Sequence, residues 1–421
     1  MARKMKDSGI EWIGEIPEGW EVTKLKYLST FPIEKNAHTD SPYIGLENIE
    51  SWTGKYVSSD SQYDKSQALA FFENNILFGK LRPYLAKVFC ASNDGCCSSE
   101  FCILNFSSSV NIRYFWNLLI SPTFIDHVTK STYGTKMPRA NTDFIKNICV
   151  PVPPRIEQDR IALYLDATSA KIDFLISETR SSIEEYKKLK QAVITQAVTK
   201  GVRGEQEMKD SGVEWIGKIP REFDPVQLKF FCKLITDGTH FSPTTVENGW
   251  PYITAGDVHG IGLDYNSAKR ISEEDFQLLV AQGCQPLKGD VLLVKDGATT
   301  GRVGFVDSDA PCVILSSVAM LRPADNTDGH YLMYLLASDF LQKQILVSMA
   351  GSAMPRTTLT KLTKYIGLLP PLHEQKEIAN YLDAKCAEID GLIAKKEQLV
   401  KELESYKKSL IYEVVTGKRE V

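Results

Sequence analysis

The chain has 421 residues, of which 43% are apolar and 24% are charged, and this composition excludes a disordered or collagen-like polymer. Its 53 Asp and Glu residues outnumber its 49 Lys and Arg residues, so any basic contacts to a polyanion must be local. No apolar run reaches the roughly 18 residues of a membrane span, and the first ten residues lack the apolar segment of a signal peptide. We therefore expect a cytoplasmic protein.

Nine cysteines are an odd number, which favours a reducing compartment over a disulfide framework. Four of them cluster, at Cys90, Cys96, Cys97 and Cys102, but none forms a Cys-x-x-Cys pair. We expect reduced thiols packed in or beside strands, and no metal site.

The chain opens with a segment that is written twice. Residues 5–17 read MKDSGIEWIGEIP and residues 208–220 read MKDSGVEWIGKIP, with eleven of thirteen positions identical. Segments this similar cannot encode different binding specificities. We interpret Trp12 and Trp215 within them as packing anchors or as a subunit-docking surface.

A globular segment of about 130 residues follows each copy of the opening segment. Short apolar or β-branched runs bounded by Gly, Pro, Asn and Asp predict strands, and two longer apolar stretches predict helices near the end of each segment. The predicted strands are residues 43–49, 75–78, 86–90, 291–294 and 302–306, and the predicted helices are residues 114–125 and 331–350. We expect a mixed α/β domain in each half.

The ends of these two segments also repeat. Residues 134–166 match residues 351–383 without a gap at an offset of 217. Weaker matches between the two pairs of repeats lie at offsets of 209 (42–44 with 251–253) and 215 (75–77 with 290–292), against 203 at the opening segments. An offset that rises in this way is expected of two copies of one fold that diverged by loop insertions.

A long helix is predicted to close each half. The first begins after Pro153-Pro154 with an acidic first turn and ends at Lys200-Gly201, and the second begins after Pro370-Pro371 and ends at Gly417. Apolar residues recur on a seven-residue pattern in both helices, and we expect these to pack the helices against each other. The predicted packing residues are Leu165, Ile172, Leu175, Tyr186 and Leu189 in the first helix, and Leu382, Ile389, Leu392, Leu399, Leu403 and Tyr406 in the second.

Connectivity predicts the direction of this pairing. The first helix leads from one globular segment to the other, so the second must run back if the segments lie at opposite ends. The pair is then antiparallel, and roughly 43 residues make a rod of about 65 Å. Two like domains on such a rod could contact two half-sites of duplex DNA, whose groove surfaces recur about every 34 Å. Because the two segments differ in sequence, we expect an asymmetric, interrupted site.

Basic residues cluster in turns at matching places of the two halves, and these turns, together with neighbouring aromatic and polar residues, contain the candidate DNA contacts. In the first half they are Lys80, Arg82, Tyr84 and Lys87, with Lys136 and Arg139 as weaker candidates; in the second half they are Thr239, His240, Lys295 and Arg302, with Arg356 as the weaker candidate. The alternative for both clusters is an ordinary solvated hairpin. For the Met-Pro-Arg tripeptide shared by both halves, the alternative to base reading is a structural turn, and for His240 it is a local hydrogen bond within its turn.

These segments together resemble the specificity subunit of type I restriction-modification systems. The resemblance rests on the paired DSGxEWIGxIP segments, on FGKLRPYLAKV, on DGTHFSP followed by GDVLLVKDGATTGRVG, and on the paired MPR...PPxxEQxxIAxYLD segments, and it covers essentially the whole chain. It implies two target recognition domains that each read half of a bipartite DNA site. It also implies a helix pair that acts as a spacer and holds two adenine-methylating modification subunits, and two restriction subunits that join them.

The resemblance implies an α+β fold with two similar mixed α/β recognition domains, joined by two long antiparallel coiled-coil helices with pseudo-two-fold symmetry. The predicted boundaries are 1–20 and 202–223 for the opening segments, 21–152 and 224–369 for the recognition domains, and 153–201 and 370–421 for the helices.

The sequence lacks the motifs of the enzymes in such a system. No Asn/Asp-Pro-Pro-Tyr/Phe tetrapeptide of an adenine methyltransferase occurs, and no phosphate-binding G-x-x-x-x-G-K-[ST] loop of a motor occurs. We expect a chain without catalytic residues or metal ligands, with S-adenosylmethionine, ATP and Mg²⁺ bound by partner subunits. The alternative that stays open here is a coiled-coil scaffold whose end domains bind proteins.

Overall fold

The computed structural model describes residues 3–35, 42–59, 66–134, 136–214, 216–260, 262–349 and 355–421. By its internal contacts the chain divides into two compact units. Unit 1 comprises Met1–Arg180 and Glu397–Val421, and unit 2 comprises Ser181–Lys396. Trp215 and Met354, which were singled out in the sequence, lie outside the described residues.

Unit 1 is a mixed α/β body, as the punctuated apolar runs predict. Its strands are β1 (Met5–Asp7), β2 (Glu15–Pro17), β3 (Glu21–Lys24), β4 (Ser29–Thr30), β5 (Tyr43–Ile44), β6 (Leu69–Phe71), β7 (Ile76–Gly79), β8 (Val88–Cys90), β9 (Gly95–Cys97), β10 (Phe101–Phe106) and β11 (Cys149–Val152). Its helices are α1 (Leu25–Leu28), α2 (Ile112–Leu119), α3 (Pro122–Lys130), α4 (Thr142–Asn147) and the part of α5 (Arg155–Lys200) that ends at Arg180.

Unit 2 repeats this order of elements with additions. Its strands are β12 (Met208–Asp210), β13 (Lys218–Pro220), β14 (Asp224–Gln227), β15 (Cys232–Asp237), β16 (Thr245–Ile253), β17 (Val258–His259), β18 (Gly262–Leu263), β19 (Lys269–Ile271), β20 (Val291–Val294), β21 (Val303–Phe305), β22 (Val313–Ile314), β23 (Val318–Pro323) and β24 (Ile366–Leu369). Its helices are α6 (Glu273–Ala281), α7 (Gly329–Ala337), α8 (Asp339–Met349), α9 (Leu359–Leu362) and the first part of α10 (Leu372–Val415).

The main sheet has the same strand order in both units. It runs β4-β10-β7-β8 in unit 1 and β15-β23-β20-β21 in unit 2, with all neighbours antiparallel. The two-stranded sheets also correspond, β1-β2 with β12-β13 and β3-β11 with β14-β24. The repeats in the sequence therefore encode two copies of one fold.

Equivalent buried hydrogen bonds stabilise each of the two copies internally. Tyr114 Oη donates to the carbonyl of Pro151 in unit 1, and Tyr331 Oη donates to the carbonyl of Leu368 in unit 2. Both tyrosines are fully buried. Since a buried hydroxyl without a partner costs about 1–3 kcal/mol, each bond fixes a helix of the globular part on the strand that leads into a long helix.

The predicted helices near the end of each globular segment are each two helices. In unit 1 the break lies at Ser121, before Pro122, and in unit 2 it lies at Ser338. Each serine hydroxyl donates to a carbonyl of the preceding turn, to Leu118 or to Leu335, at 2.6 Å. This side-chain bond competes with continuation of the helix, so the break does not require the proline.

The strand predicted at residues 43–49 is also shorter than expected, because residues 46–48 form a 3₁₀ turn. Asn48 is buried, and its side chain accepts from the amide of Gly45. The other four predicted strands overlap β7, β8, β20 and β21.

The two long helices pair in antiparallel fashion inside each unit. In unit 1, Asp173 of α5 binds Lys407 of α10 at 2.7 Å, and Arg180 binds Glu404 at 2.6 Å. As the residue number rises in α5, it falls in α10.

Unit 2 shows the same direction. The Lys190 ammonium binds Asp390 at 2.6 Å, and Lys396 lies 5.6 Å from the centre of the Tyr186 ring. Asp173 and Asp390 are equivalent by the 217-residue offset, as are Lys190 and Lys407. The ion pairs between the long helices are therefore repeated in the two units, as the globular parts are.

The predicted packing residues are partly corrected. Leu165, Ile172, Leu382 and Ile389 are buried, and Tyr186, Leu392 and Leu403 are half-buried. Four others are exposed, namely Leu175, Leu189, Leu399 and Tyr406.

The exposed positions have a physical reason. Each helix packs against its own globular part as well as against the other helix, which turns the buried face away from a strict seven-residue seam. Next to the exposed Leu175, Ile176 is buried and lines a cleft with Ile120, Pro122 and Ile411. No helix in the described part of the chain is long and apolar enough to cross a membrane.

Candidate nucleic-acid interface

Two loops of the main sheets have the same length and occupy equivalent places in the two units. We call residues 80–87 loop A and residues 295–302 loop B. Each connects two antiparallel strands, β7 with β8 and β20 with β21. They are aligned at an offset of 215 without a gap.

The two loops share the backbone hydrogen bonds that hold them to a neighbouring turn. Arg82 N donates to Pro138 O at 2.7 Å in unit 1, and Gly297 N donates to Pro355 O at 3.0 Å in unit 2. The amide of Ala140 donates to Lys80 O, as the amide of Thr357 does to Lys295 O, at 2.9 Å in both cases. The prolines that accept these bonds belong to the shared Met-Pro-Arg tripeptide, so Pro138 and Pro355 support the loops through their backbone carbonyls.

Both loops have a left-handed backbone at their third and seventh positions. Loop B has glycine there, Gly297 with φ 96° and Gly301 with φ 98°. Loop A has Arg82 with φ 50° and Ala86 with φ 49°. A residue with a Cβ in this region is strained by roughly 1–2 kcal/mol, and such strain is concentrated at functional sites.

Arg82 and Tyr84 are the side chains that loop A presents to solvent. Both are exposed, and the Arg82 guanidinium forms no hydrogen bond or ion pair with the described residues. Tyr84 is 44% exposed on a 3₁₀ turn that begins at Pro83. These are the accessible groups that the sequence predicted at this position.

Two of the other predicted contacts in unit 1, Lys87 and Arg139, have structural partners. The ammonium of Lys87 donates to Leu46 O at 2.6 Å, and burial lowers its pKa. Arg139 forms an ion pair with Glu100. Lys136 is exposed, and burial lowers the pKa of the half-buried Lys80.

In unit 2, two of the four main candidates are buried. Lys295 is 2% exposed and lies between Asp296, at 2.8 Å, and Asp237, at 3.3 Å. Thr239 is 5% exposed, and its hydroxyl accepts from the amide of Phe241. These two side chains therefore lie beneath the surface and are not accessible to a ligand from solvent. Basic composition alone could not reveal this, because it does not show where the counter-ions lie.

The remaining candidates in unit 2 are accessible. His240 and Arg302 are exposed, and Arg356 is exposed while it binds Asp296 at 2.9 Å. His240 Nε2 lies 3.9 Å from Asp237, and the imidazole ring of His240 is exposed to solvent.

The structure also shows exposed apolar side chains that the sequence prediction missed. Tyr133 and Met137 are each 61% exposed and flank Lys136 in the turn that supports loop A. Phe241 is 49% exposed beside His240. The signal in the sequence for their exposure was that they lie next to basic turns. Aromatic residues in a sequence more often indicate a buried core.

The remaining chemistry of the chain points to packing. Burial raises the pKa of the Cys97, Cys102 and Cys312 thiols to about 12, so these groups stay protonated at neutral pH. All nine cysteines are free thiols, and the described residues contain no group of His, Cys, Asp and Glu that could hold a metal ion. The Trp12 ring contacts Phe124 edge-on and stacks on His127, in accord with a packing role.

Comparison with known proteins gives a consistent result. The family model of the type I restriction modification DNA specificity domain matches twice, at residues 17–185 and 220–402. The MjaVIII specificity subunit of a type I restriction enzyme from Methanocaldococcus jannaschii is 26% identical over 425 residues, which cover 96% of this chain and 93% of that protein. The EcoDI specificity subunit from Escherichia coli is 26% identical over 43% of this chain and 42% of its own length.

Solved structures show the same fold. A chain from a structure describing complex assembly and conformational transition of the type I R-M system superposes with a TM-score of 0.75 at 20% identity, covering 96% of this chain and 99% of that one. The HsdS subunit from Thermoanaerobacter tengcongensis superposes with a TM-score of 0.53 at 22% identity, covering 96% and 98%. Since the family model covers most of the sequence and matches each of the two equivalent halves, the chain belongs to the specificity subunits of type I restriction-modification systems and has two recognition domains.

Proposed function

We propose that unit 1 and unit 2 each read one half of a bipartite, asymmetric DNA site, and that loops A and B belong to the two reading surfaces. The observation that carries this proposal is the match between the loops. Their backbones make the same hydrogen bonds to the supporting turn, whereas their side chains differ, with Arg82 and Tyr84 in one and Gly297 and Thr299 in the other. One scaffold with different side chains is what two readers of different sequences require.

Arg82 is the side chain we assign to base reading in unit 1. Its guanidinium is exposed without a partner among the described residues, and the strained backbone fixes its starting point. Arg can donate two parallel hydrogen bonds to O6 and N7 of guanine, and a good pair of this kind discriminates by about 1–3 kcal/mol. Tyr84 adjoins it as an apolar contact. In unit 2, His240, Arg302 and Arg356 are the accessible candidates.

The long helices set the distance between the two half-sites and present the docking surface for two modification subunits, to which two restriction subunits are added. Exposed apolar residues on the helices support docking, since Ile156 is 85% and Leu163 is 72% exposed on α5. This chain supplies DNA recognition without catalysis, in the cytoplasm, while the partner subunits bind S-adenosylmethionine, ATP and Mg²⁺.

The reading proposal is tested by mapping methylated adenines in cells that carry the modification complex with Arg82→Ala. We expect relaxed specificity in one half of the motif, with the other half unchanged. Lys87→Met is the matched control, because its ammonium is occupied by Leu46 O and its loss should leave the motif intact. Equal loss of methylation at every position of both halves would contradict base reading by Arg82.

The spacer proposal is tested by inserting four residues of helical propensity into both long helices, after Arg180 and after Lys396. These positions lie between the contact units and preserve the bonds within each. Four residues add about 6 Å, close to two base-pair steps of about 3.4 Å. We expect a methylated motif whose unspecified spacer is one or two base pairs longer. An unchanged spacer in a complex that still methylates would refute the proposal that the long helices set the distance between the half-sites.

A further inference from the structure

Lys80 and Lys295 occupy the same position in the two units. Lys80 N donates to Glu100 O at 2.9 Å, and Lys295 N donates to Ser317 O at 2.8 Å. Each residue follows the central strand of its main sheet and begins its loop. The two ammonium groups nevertheless have different surroundings.

In unit 2 the ammonium is neutralised inside the protein. Lys295 is 2% exposed, and the carboxylates of Asp296 and Asp237 lie 2.8 Å and 3.3 Å from its nitrogen. A buried cation of this kind requires such partners, because transfer of an isolated charge out of water costs several kcal/mol.

In unit 1 both carboxylates are replaced by apolar residues. Leu81 stands at the position of Asp296, since both directly follow the lysine and both form a bridge with the arginine of the supporting turn, Arg139 or Arg356. The second replacement follows from the strand register.

Ile33 is the residue of unit 1 that we align with Asp237. In unit 2, Asp237 is paired with Ala319 of β23. The equivalent of Ala319 at the 217-residue offset is Cys102. Strand β4 ends at Thr30, and its register with β10, extended three residues beyond that end, aligns Ile33 with Cys102. Ile33 and Cys102 both line the cavity that contains Lys80, which agrees with this register.

That cavity has a volume of about 350 Å³. Its cations are Lys80 and Lys35, and its neutral polar side chains are Gln67, Ser99 and Thr142. Among the described residues that line it there is no carboxylate, and Lys80 forms no ion pair with any described residue. Burial lowers the pKa of Lys80, which an anion in the cavity would oppose.

We propose that this cavity is a phosphodiester-binding site, in which a backbone phosphate of DNA takes the place that Asp237 and Asp296 hold in unit 2. The inference rests on the proposed DNA-reading function and adds a division of labour within loop A. Lys80 anchors a phosphate and fixes the register of the duplex, and Arg82, two residues on, reads a base edge. Unit 2 satisfies its equivalent lysine internally and lacks this anchor.

The test uses the assembled modification complex and compares charge transplants with neutral twins. Ile33→Asp and Leu81→Asp give Lys80 the carboxylates that unit 2 has, and Ile33→Asn and Leu81→Asn match them in size without the charge. Ile33 is 72% exposed, so its replacement leaves the core intact. Lys80→Met removes the cation. Affinity for cognate and non-cognate duplexes is measured as a function of salt concentration.

We expect Lys80→Met and the two Asp variants to reduce the slope of log K against log salt by about 1, and to weaken cognate and non-cognate binding by the same factor. The Asn twins should keep the wild-type slope. A scan of single neutral methylphosphonate linkages should find one position that weakens wild-type binding and has no effect on Lys80→Met.

Three results would overturn the inference. An unchanged slope in Lys80→Met would do so, as would a loss confined to one base pair, which would assign Lys80 to base reading. Binding of inorganic phosphate that is lost in Lys80→Met, together with an unchanged DNA slope, would assign the cavity to a free anion. The proposed function fails separately, if the wild-type complex shows no sequence-specific DNA binding at all.

Discussion

Unit 1 and unit 2 have the same main sheet but satisfy its polar positions differently. Asn75 at the start of β7 accepts from the amide of Phe72, and the equivalent Asp290 at the start of β20 accepts from the amide of Leu287 and also binds Arg322. The hydrogen bond to the turn is shared, whereas the ion pair exists only with the charged residue. The comparison teaches that the backbone bonds define the fold and that the charges around them can be exchanged in compensating pairs.

Insertions separate the units further. The Ile314 amide of β22 donates to Cys284 O, which corresponds to the pairing of β9 with β6 in unit 1. Strand β19 and helix α6 lie in the segment between these equivalent strands, and the described part of unit 1 has no counterpart of α6. The sequence offset rises from 209 to 215 over this segment, so it is longer in unit 2.

The largest effect is expected from breaking the ion pair that only unit 2 has. Asp290 is 2% exposed, so Arg322→Leu leaves a buried charge without its partner and should destabilise unit 2 by about 3–5 kcal/mol. Asn105→Leu, at the equivalent exposed position of unit 1, should change stability by less than about 0.5 kcal/mol. Thermal unfolding of the full chain measures both.

A second substitution sharpens this comparison. Asp290→Asn in the Arg322→Leu background reproduces the neutral arrangement of Asn75 and should recover most of the lost stability. If the double variant stays as unstable as Arg322→Leu, the ion pair is not the source of the loss.

The next effect concerns the helix pairing, which both units share. Leu165→Ala and Leu382→Ala remove equivalent, fully buried side chains and should each cost about 2–5 kcal/mol. Leu399→Ala, at a predicted packing position that is 44% exposed, should cost less than about 0.5 kcal/mol. Urea unfolding distinguishes these outcomes. A loss at Leu399 equal to that at Leu382 would restore the strict seven-residue seam.

A smaller effect of opposite sign is expected at the first turns of the long helices. Glu157 binds Arg3 at 2.6 Å and accepts from Trp20 Nε1, whereas Glu374 is fully buried and its oxygens have no hydrogen-bond partner among the described residues. Burial raises the pKa of Glu374. The folded state therefore holds its proton more tightly than the unfolded state, and stability falls as pH rises through the folded pKa.

Glu374→Gln should consequently stabilise unit 2 at neutral pH by on the order of 1 kcal/mol, and the gain should vanish below about pH 4, where the carboxyl is protonated in both states. Glu157→Gln should destabilise unit 1 at neutral pH. Melting temperatures between pH 4 and pH 8 provide the measurement, and a gain from Glu374→Gln that persists at pH 4 would exclude a charge effect.

The smallest effect is expected at the left-handed positions of the loops. Ala86→Gly relieves the strain at φ 49° and should stabilise unit 1 by about 0.5–1 kcal/mol, without altering the DNA motif. Gly301→Ala should destabilise unit 2 by at least as much, since its φ is 98° and the added Cβ would also approach Gln342 Oε1. Equal stability of both variants and the wild type would show that the loops relax at no cost.

Much of this fold was predictable because the two halves of the sequence can be compared with each other. The repeats indicated two copies of one fold, and the proline pairs and terminal glycines located the long helices to within a few residues, since helix starts and stops are local signals. The order of motifs identified the family. Loop A and loop B were selected as basic turns at matching places, which requires only an alignment of the chain with itself.

Tertiary structure decided which of those side chains are accessible. Lys80 and Lys295 are indistinguishable as members of basic turns, but Asp237, distant in sequence, reaches Lys295 across the sheet, whereas Lys80 faces a cavity whose described lining residues include Ile33 and no carboxylate. The burial of Leu165 and the exposure of Leu175 likewise depend on the globular part packed against α5. Local patterns specify elements, whereas the charge and burial of a group are set by residues brought to it from elsewhere in the chain.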